Sequence, residues 1–162
     1  MDNRKIMGFA PVFTNDSLVL ILGSFPSVKS REISFYYGHK QNRFWRMVCG
    51  YFKEPVPENV EDRRDFLIRR KIALWDMVTS CEIVGSSDAT IKNPETADLT
   101  QILQTAPIKK ILLNGNVAYS LFCKKYQGIS LPYEKLPSTS PANPRFNEEV
   151  WWRALDDVFR IS

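Results

Sequence analysis

Five apolar residues in a row, Leu18-Val19-Leu20-Ile21-Leu22, run straight into Gly23-Ser24-Phe25-Pro26-Ser27, and this junction restricts the possible folds more than anything else in the chain. An unbroken apolar run of that length suits a strand covered on both faces, as in sheets sandwiched between helices. Gly23 admits backbone angles closed to other residues, and Pro26 fixes φ while supplying no N–H, so the strand must end there. The polar and aromatic loop that follows then lies outside the carboxyl edge of the sheet, where open α/β folds place their ligands.

Later segments repeat the theme. Ile72-Ala73-Leu74-Trp75-Asp76-Met77-Val78 reads as a second buried strand interrupted by one acid, which is costly unless that acid is paired or sits near solvent at the strand end. Ile111-Leu112-Leu113-Asn114-Gly115 closes like the first strand, and Tyr133 to Leu136 supplies a fourth before the compact turn over residues 137–144. Between the strands lie helical patterns at residues 42–52 and 58–71, a short helix capped by Asp98, another over residues 116–126, and a closing helix capped by Asn147. Residues 79–97, rich in Ser, Thr, Asp, Gly and Pro, read as a long loop, and residues 1–17 as a lead-in. Strands alternating with helices predict a single three-layer α/β/α domain over residues 1–162, with a central, mostly parallel four-stranded sheet. Right-handed crossovers bring the loops after Leu22, Val78, Leu113 and Leu136 to one edge.

Composition narrows function by exclusion. His39 is the only histidine, which removes histidine-rich metal sites. Cys49, Cys81 and Cys123 lie far apart without CxxC spacing, so buried reduced thiols are expected, with no metal and no other cofactor. The chain lacks GxGxxG, P-loop and GxSxG motifs, which argues against dinucleotide enzymes, kinases and esterases. No apolar run approaches the roughly 20 residues of a membrane helix, and no signal-peptide h-region follows the start, so the expectation is a cytoplasmic monomer without a membrane partner. A net charge of +4 and a pI near 9.0 favour a polyanionic partner, because cationic surface releases counterions from nucleic acid.

Gly23-Ser24-Phe25-Pro26-Ser27, then Tyr36-Tyr37-Gly38-His39-Lys40-Gln41-Asn42-Arg43-Phe44-Trp45, with Leu136-Pro137-Ser138-Thr139-Ser140-Pro141-Ala142-Asn143, together resemble the motifs of the uracil-DNA glycosylase superfamily. Within it the chain is most similar to the hypoxanthine-DNA glycosylase branch. The resemblance implies a monofunctional enzyme that flips a deaminated base out of DNA and hydrolyses its N-glycosidic bond, with hypoxanthine as the expected base. It implies Asn42 as the catalytic residue. Gly23, Ser24, Phe25, Pro26 and Ser27, with Phe44 and Asn114, are the expected base-binding set: Phe44 stacks on the extruded base and Asn114 donates to O6 or N7. His39, Lys40, Ser138, Thr139, Ser140, Asn143 and Arg145 are the expected contacts to DNA, and Arg145 or Phe146 is the residue that fills the vacated stack.

An amide is no effective general base at neutral pH, so Asn42 can only orient a water or hydrogen-bond the leaving purine. Bond cleavage then precedes attack, and donors aimed at the growing negative charge supply most of the rate. Phe25 stands where uracil enzymes often carry Asp or Asn, and Leu136 where they place His or Asn; both departures favour purine excision. Blander readings stand beside these: Asn42 as a helix cap, the 138–140 stretch as a turn braced by its own hydroxyls, His39 as a loop brace, and Asp76 as a turn cap or pocket-tuning group rather than the base. The alternatives are a uracil or mismatch-type glycosylase, a non-catalytic module that binds damaged DNA, and a hydrolase of free nucleosides.

Overall fold

The structure, a computed structural model, describes residues 3–25, 35–84 and 91–160. Its strands are β1 (Asn3–Met7), β2 (Val19–Gly23), β3 (Ile72–Asp76), β4 (Val78–Val84), β5 (Ile91–Thr96), β6 (Lys110–Asn114) and β7 (Tyr133–Leu136). The helices are α1 (Phe44–Tyr51), α2 (Val60–Arg69), α3 (Thr100–Thr105), α4 (Asn116–Lys125) and α5 (Glu148–Phe159).

Val19–Leu22 of the apolar run and the following Gly23 form β2, and all five of these residues are buried. It lies inside a parallel sheet of order β3-β2-β6-β7. Successive side chains of a strand point to opposite faces, so β2 feeds two cores. Val19 and Ile21 join Ile72, Leu74 and Leu112 against Trp45 of α1, Phe66 of α2 and Trp151 of α5. Leu20 and Leu22 join Ala73, Ile111 and Leu113 against Ile102 of α3 and Phe122 of α4. Each fully buried Leu or Ile contributes about 1.5–3 kcal/mol relative to exposure, which explains why an uninterrupted apolar strand is worth keeping. The expected three-layer α/β/α architecture with its four-stranded parallel sheet is what the chain adopts.

Helix starts follow the sequence closely. The Asn59 side chain accepts the Asp62 N–H at 2.8 Å, Asp98 Oδ1 accepts the Thr100 N–H at 3.0 Å, and Asn147 Oδ1 accepts the Glu149 N–H at 3.0 Å. Each side chain satisfies a donor that the first helical turn leaves without a partner.

The stretch after β3 departs from the sequence reading. The second strand ends at Asp76, two residues short of the expected Val78; Met77 N–H and Val78 N–H donate to the carbonyls of Gly23 (2.7 Å) and Ser24 (2.9 Å) at the end of β2. The chain then enters a second, antiparallel sheet of order β1-β4-β5. Residues 79–97 are therefore mostly strand rather than loop, and the lead-in contains β1. The polar surface of these strands concealed them. β5 carries Pro94, which an edge strand tolerates, and Asn93 at φ 50° beside register shifts in the β4–β5 pairing.

Among the described residues, no helix is long and apolar enough to cross a membrane. For function, what matters is the carboxyl edge of the parallel sheet. Gly23 stands beside Asp76, and Asn114 beside Leu136, in matching register.

Candidate active site

A cavity of about 270 Å³ opens at that edge. Strand ends contribute Gly23, Asp76 and Asn114 to its wall; the loop before α1 contributes Tyr36, Tyr37, His39 and Asn42; the turn after β7 contributes Ser138, Thr139, Ser140 and Pro141. Two sequence motifs about a hundred residues apart thus share one cleft. Arg43 clips them together, its N–H donating to Thr139 C=O (3.0 Å) and its Nη2 to the carbonyls of Ser140 (2.5 Å) and Asn143 (2.6 Å). Its guanidinium also lies over the Phe146 ring at 4.7 Å. One guanidinium nitrogen thus holds two carbonyls of the turn, while Nε is buried without a partner among the described residues.

Asn42 occupies the cavity wall, and its Oδ1 accepts the Phe44 N–H at 2.9 Å. Arg43, not Asn42, is the N-cap residue of α1; Asn42 stands just before it and braces the first helical N–H from there while lining the cavity. With one oxygen lone pair committed to the helix, the Nδ2 donors and one remaining lone pair are left for a ligand or water. Ser24 and Phe25 also line the cavity, whereas Pro26 and Ser27 lie outside the described residues. His39 lines it too, and its Nδ1 accepts the Gln41 N–H at 3.0 Å, so it braces its own loop. Lys40 is exposed. Arg145, also exposed, borders an adjoining cavity of about 540 Å³ together with Lys135.

Four of the expected site residues make contacts within the fold that compete with their expected roles. Phe44 is fully buried and does not line the cavity; its ring is covered by Tyr37 at a centroid distance of 4.3 Å and an interplanar angle of 23°. Tyr37 lines the cavity instead, together with Tyr36 and Phe25. Asn114 does reach the wall, but its amide is engaged with Thr139: Nδ2 donates to Thr139 Oγ1 and Oδ1 accepts the Thr139 N–H, both at 3.0 Å. Only its second N–H remains for a base. Thr139 is fully buried in that embrace and cannot meet a phosphate. Asn143 spends its amide inside the turn, donating to Ser138 C=O at 2.9 Å and accepting the Arg145 N–H at 3.0 Å. Ser138 and Ser140 accept N–H groups from Ser140 and Ala142, the turn-bracing role, while lining the cavity.

The sequence reading also assigned Gly23 a conformational purpose. Its φ is not positive; the reason for glycine is space, since a Cβ there would sit 2.5 Å from Asp76 Oδ1 and 2.9 Å from the Tyr37 hydroxyl oxygen. Asp76 and Tyr37 are the site residues that sequence reasoning left aside. Asp76 is 4% exposed and its Oδ2 has no hydrogen-bond partner among the described residues. Burial alone pushes its carboxyl up to about 7. Tyr37 holds φ 55°, unusual for a bulky residue, and its buried hydroxyl makes no well-aligned hydrogen bond among the described residues, its polar side-chain neighbour being Asn114. Burial first, then the Asp76 charge, raise the Tyr37 phenol far above its ordinary value, so it is neutral. A lone acid inside an apolar strand was the available signal for Asp76; nothing in the sequence distinguished Tyr37 from its aromatic neighbours. Among the described residues, no cluster of His, Cys, Asp and Glu is arranged to hold a metal ion.

A parallel β3-β2-β6-β7 sheet between helical layers, with a cavity at its carboxyl edge built from the post-β2 loop and the post-β7 turn, is the uracil-DNA-glycosylase-like architecture. A chain from Methanosarcina acetivorans with a provisional uracil DNA glycosylase assignment has a solution NMR structure that superimposes with a TM-score of 0.80 at 32% identity, covering 94% of this chain and 96% of that one. No family model matches the sequence. It is 33% identical over 152 residues to a hypoxanthine DNA glycosylase of Methanosarcina acetivorans (91% of this chain, 96% of the relative), and 36% identical over 113 residues to a hypoxanthine DNA glycosylase of Methanosarcina barkeri (68% and 72%). The chain belongs to the hypoxanthine DNA glycosylase family.

Proposed function

We propose that this protein is a monofunctional DNA glycosylase that extrudes a deaminated purine, hypoxanthine, from DNA and hydrolyses its N-glycosidic bond. The observation that carries the reading is the convergence of Asn42 and the 138–141 turn on one cavity at the carboxyl edge of the sheet. A base buried in a duplex offers no access to its glycosidic bond, so a pocket at the surface must receive it flipped. Lys40, Lys135 and Arg145 are suited to the phosphates flanking the extruded nucleotide, with Ser138 and Ser140 hydroxyls at the rim.

Inside the cavity, Tyr37 supplies the stacking surface and Asn42 supplies amide donors beside the sugar or the purine. The C1′–N9 bond stretches first, leaving its electrons on the purine and an oxocarbenium-like sugar that water captures. Preorganised donors near the departing base lower this barrier because negative charge grows there during cleavage. Family membership supports DNA glycosylase activity in general; the choice of hypoxanthine draws on the names of the two relatives and on the absence of the uracil-type acidic residue at Phe25.

The test is a panel of duplexes bearing deoxyinosine, deoxyuridine or deoxyxanthosine, incubated with the protein and then treated with alkali. Alkali-dependent cleavage at deoxyinosine supports the reading. Cleavage only at deoxyuridine points to the uracil-type enzyme, retained binding without cleavage to a damage-binding module, and turnover of free inosine alone to a nucleoside hydrolase.

A further inference from the structure

We propose that Asp76 acts on the excised purine as a carboxylic acid, donating a hydrogen bond from its O–H to the base as the glycosidic bond opens. This deepens the glycosylase reading and rests on it. Four observations converge. Asp76 ends β3 in register with Gly23, on the wall of the cavity. Gly23 lacks a side chain where any Cβ would collide with the Asp76 carboxyl, so the backbone leaves room for that group. Among the described residues, one carboxyl oxygen is enclosed without a partner, whereas buried polar groups kept for structure are normally satisfied. No cation among the described residues stands against it.

That last point follows from the described elements that line the cavity. The post-β2 turn brings Ser24 and Phe25, the loop before α1 brings Tyr36, Tyr37, His39 and Asn42, β6 brings Asn114, and the post-β7 turn brings Ser138 to the same cavity. Of these, the titratable groups are Tyr36, Tyr37 and His39, and both phenols are raised by burial and then by the Asp76 charge. Burial with no offsetting positive charge brings the Asp76 carboxyl to about 7, so its acid form is populated in neutral solution.

The chemistry distinguishes the acid from the carboxylate. When C1′–N9 breaks, both bonding electrons stay on the purine and negative charge spreads over its ring nitrogens and O6. A carboxylate accepts only and would oppose that charge; the acid donates into it. Water then forms the new C–O bond at C1′ and releases a proton. That proton balances the one taken up by the purine, and Asp76 ends the cycle as it began.

Single-turnover release of hypoxanthine from a deoxyinosine duplex, measured between pH 5.5 and 9 for the wild type, Asp76→Asn, Asp76→Ala and His39→Gln, tests this. The wild-type rate falls as pH rises through about 7. Asp76→Asn keeps a donor in the same place, so it stays within about tenfold of the wild type and loses the limb near neutrality. Asp76→Ala falls by about 10²-fold or more while melting at the same or a higher temperature, since it removes an unsatisfied buried group. His39→Gln keeps the midpoint of the limb, whatever its rate. The proposal is overturned by a rate that rises with pH through this range, by an Asp76→Asn as inactive as the alanine variant, by an Asp76→Ala as active as the wild type, or by a limb that survives in Asp76→Asn. A folding role would lower the melting temperature of Asp76→Ala instead. If the wild type releases no hypoxanthine at any pH, the glycosylase reading fails on its own account. Binding of free hypoxanthine then decides for Asp76: affinity that weakens above pH 7 and is lost in Asp76→Ala supports it, and pH-independent binding or none overturns it.

Discussion

Asn114 and Thr139 exchange two hydrogen bonds of 3.0 Å, from Asn114 Nδ2 to Thr139 Oγ1 and from Thr139 N–H to Asn114 Oδ1, and so fasten the post-β7 turn to the mouth of β6. Both residues are buried, so the pair is shielded from competing water. With the Arg43 clip on the other side of the turn, this latch keeps residues 138–141 facing Asn42 across the cavity.

Asn114→Ala should therefore damage the site by loosening it. The change leaves the Thr139 N–H and hydroxyl without partners in a buried place, at a cost of about 1–3 kcal/mol. Urea denaturation is expected to show a lower midpoint at unchanged m, and base release is expected to slow along with it. A variant with wild-type stability and reduced release would instead mean that Asn114 acts on the base directly.

Phe44 and Tyr37 should separate cleanly. Phe44 is fully buried between Tyr37 and Trp45, so Phe44→Ala opens a core cavity and is expected to cost about 3–5 kcal/mol in chemical denaturation. Tyr37→Phe keeps the ring and removes a hydroxyl that makes no well-aligned hydrogen bond among the described residues, so stability is expected to be preserved and capture of the flipped base retained. Tyr37→Ala removes the stacking face and should weaken capture. If Tyr37→Ala instead binds deoxyinosine DNA more tightly than the wild type, Tyr37 is an obstruction that the base displaces to reach Phe44.

Much of this arrangement was legible in the sequence because strand burial and strand ends are local signals. The run at Val19–Gly23 and its counterpart at Lys110–Asn114 mark two central strands, and parallel strands put their carboxyl ends on one edge, so Gly23, Asn42, Asn114 and Ser138 could be expected near one another. What stayed hidden depends on pairing between distant side chains. Whether Thr139 faces DNA or Asn114, and whether Phe44 or Tyr37 meets the ligand, is decided by packing that no local pattern encodes. The small antiparallel sheet is hidden for another reason: its strands run through Thr79-Ser80 and Asn93-Pro94, which read as loop, and its buried cluster of Val78 and Cys81 is too small to show as an apolar pattern.

Asp76 also makes stability depend on pH. Its carboxyl titrates near 3.9 in an unfolded chain and about 7 in the fold, so the native state holds the proton more tightly. The stability this confers is complete below about pH 4, declines as pH rises from about 4 to 7, and is absent above that, a loss of at most about 4 kcal/mol. Thermal melts across this range should fall more steeply for the wild type than for Asp76→Asn, which has no proton to lose. Parallel curves for the two proteins would place the carboxyl outside a desolvated site.

Asn42 carries the account, and its double use suggests how to isolate the chemistry. Asn42→Asp keeps an oxygen to accept the Phe44 N–H at the start of α1, but removes the amide donors of a side chain that lines the cavity. The decisive measurement is single-turnover release of hypoxanthine from a deoxyinosine duplex by the wild type, Asn42→Asp and Asn42→Ala, with affinity for the same duplex measured alongside. The account predicts release by the wild type, a loss of about 10²-fold or more in both variants, and DNA affinity largely retained. Near-wild-type release by Asn42→Asp or Asn42→Ala would contradict it.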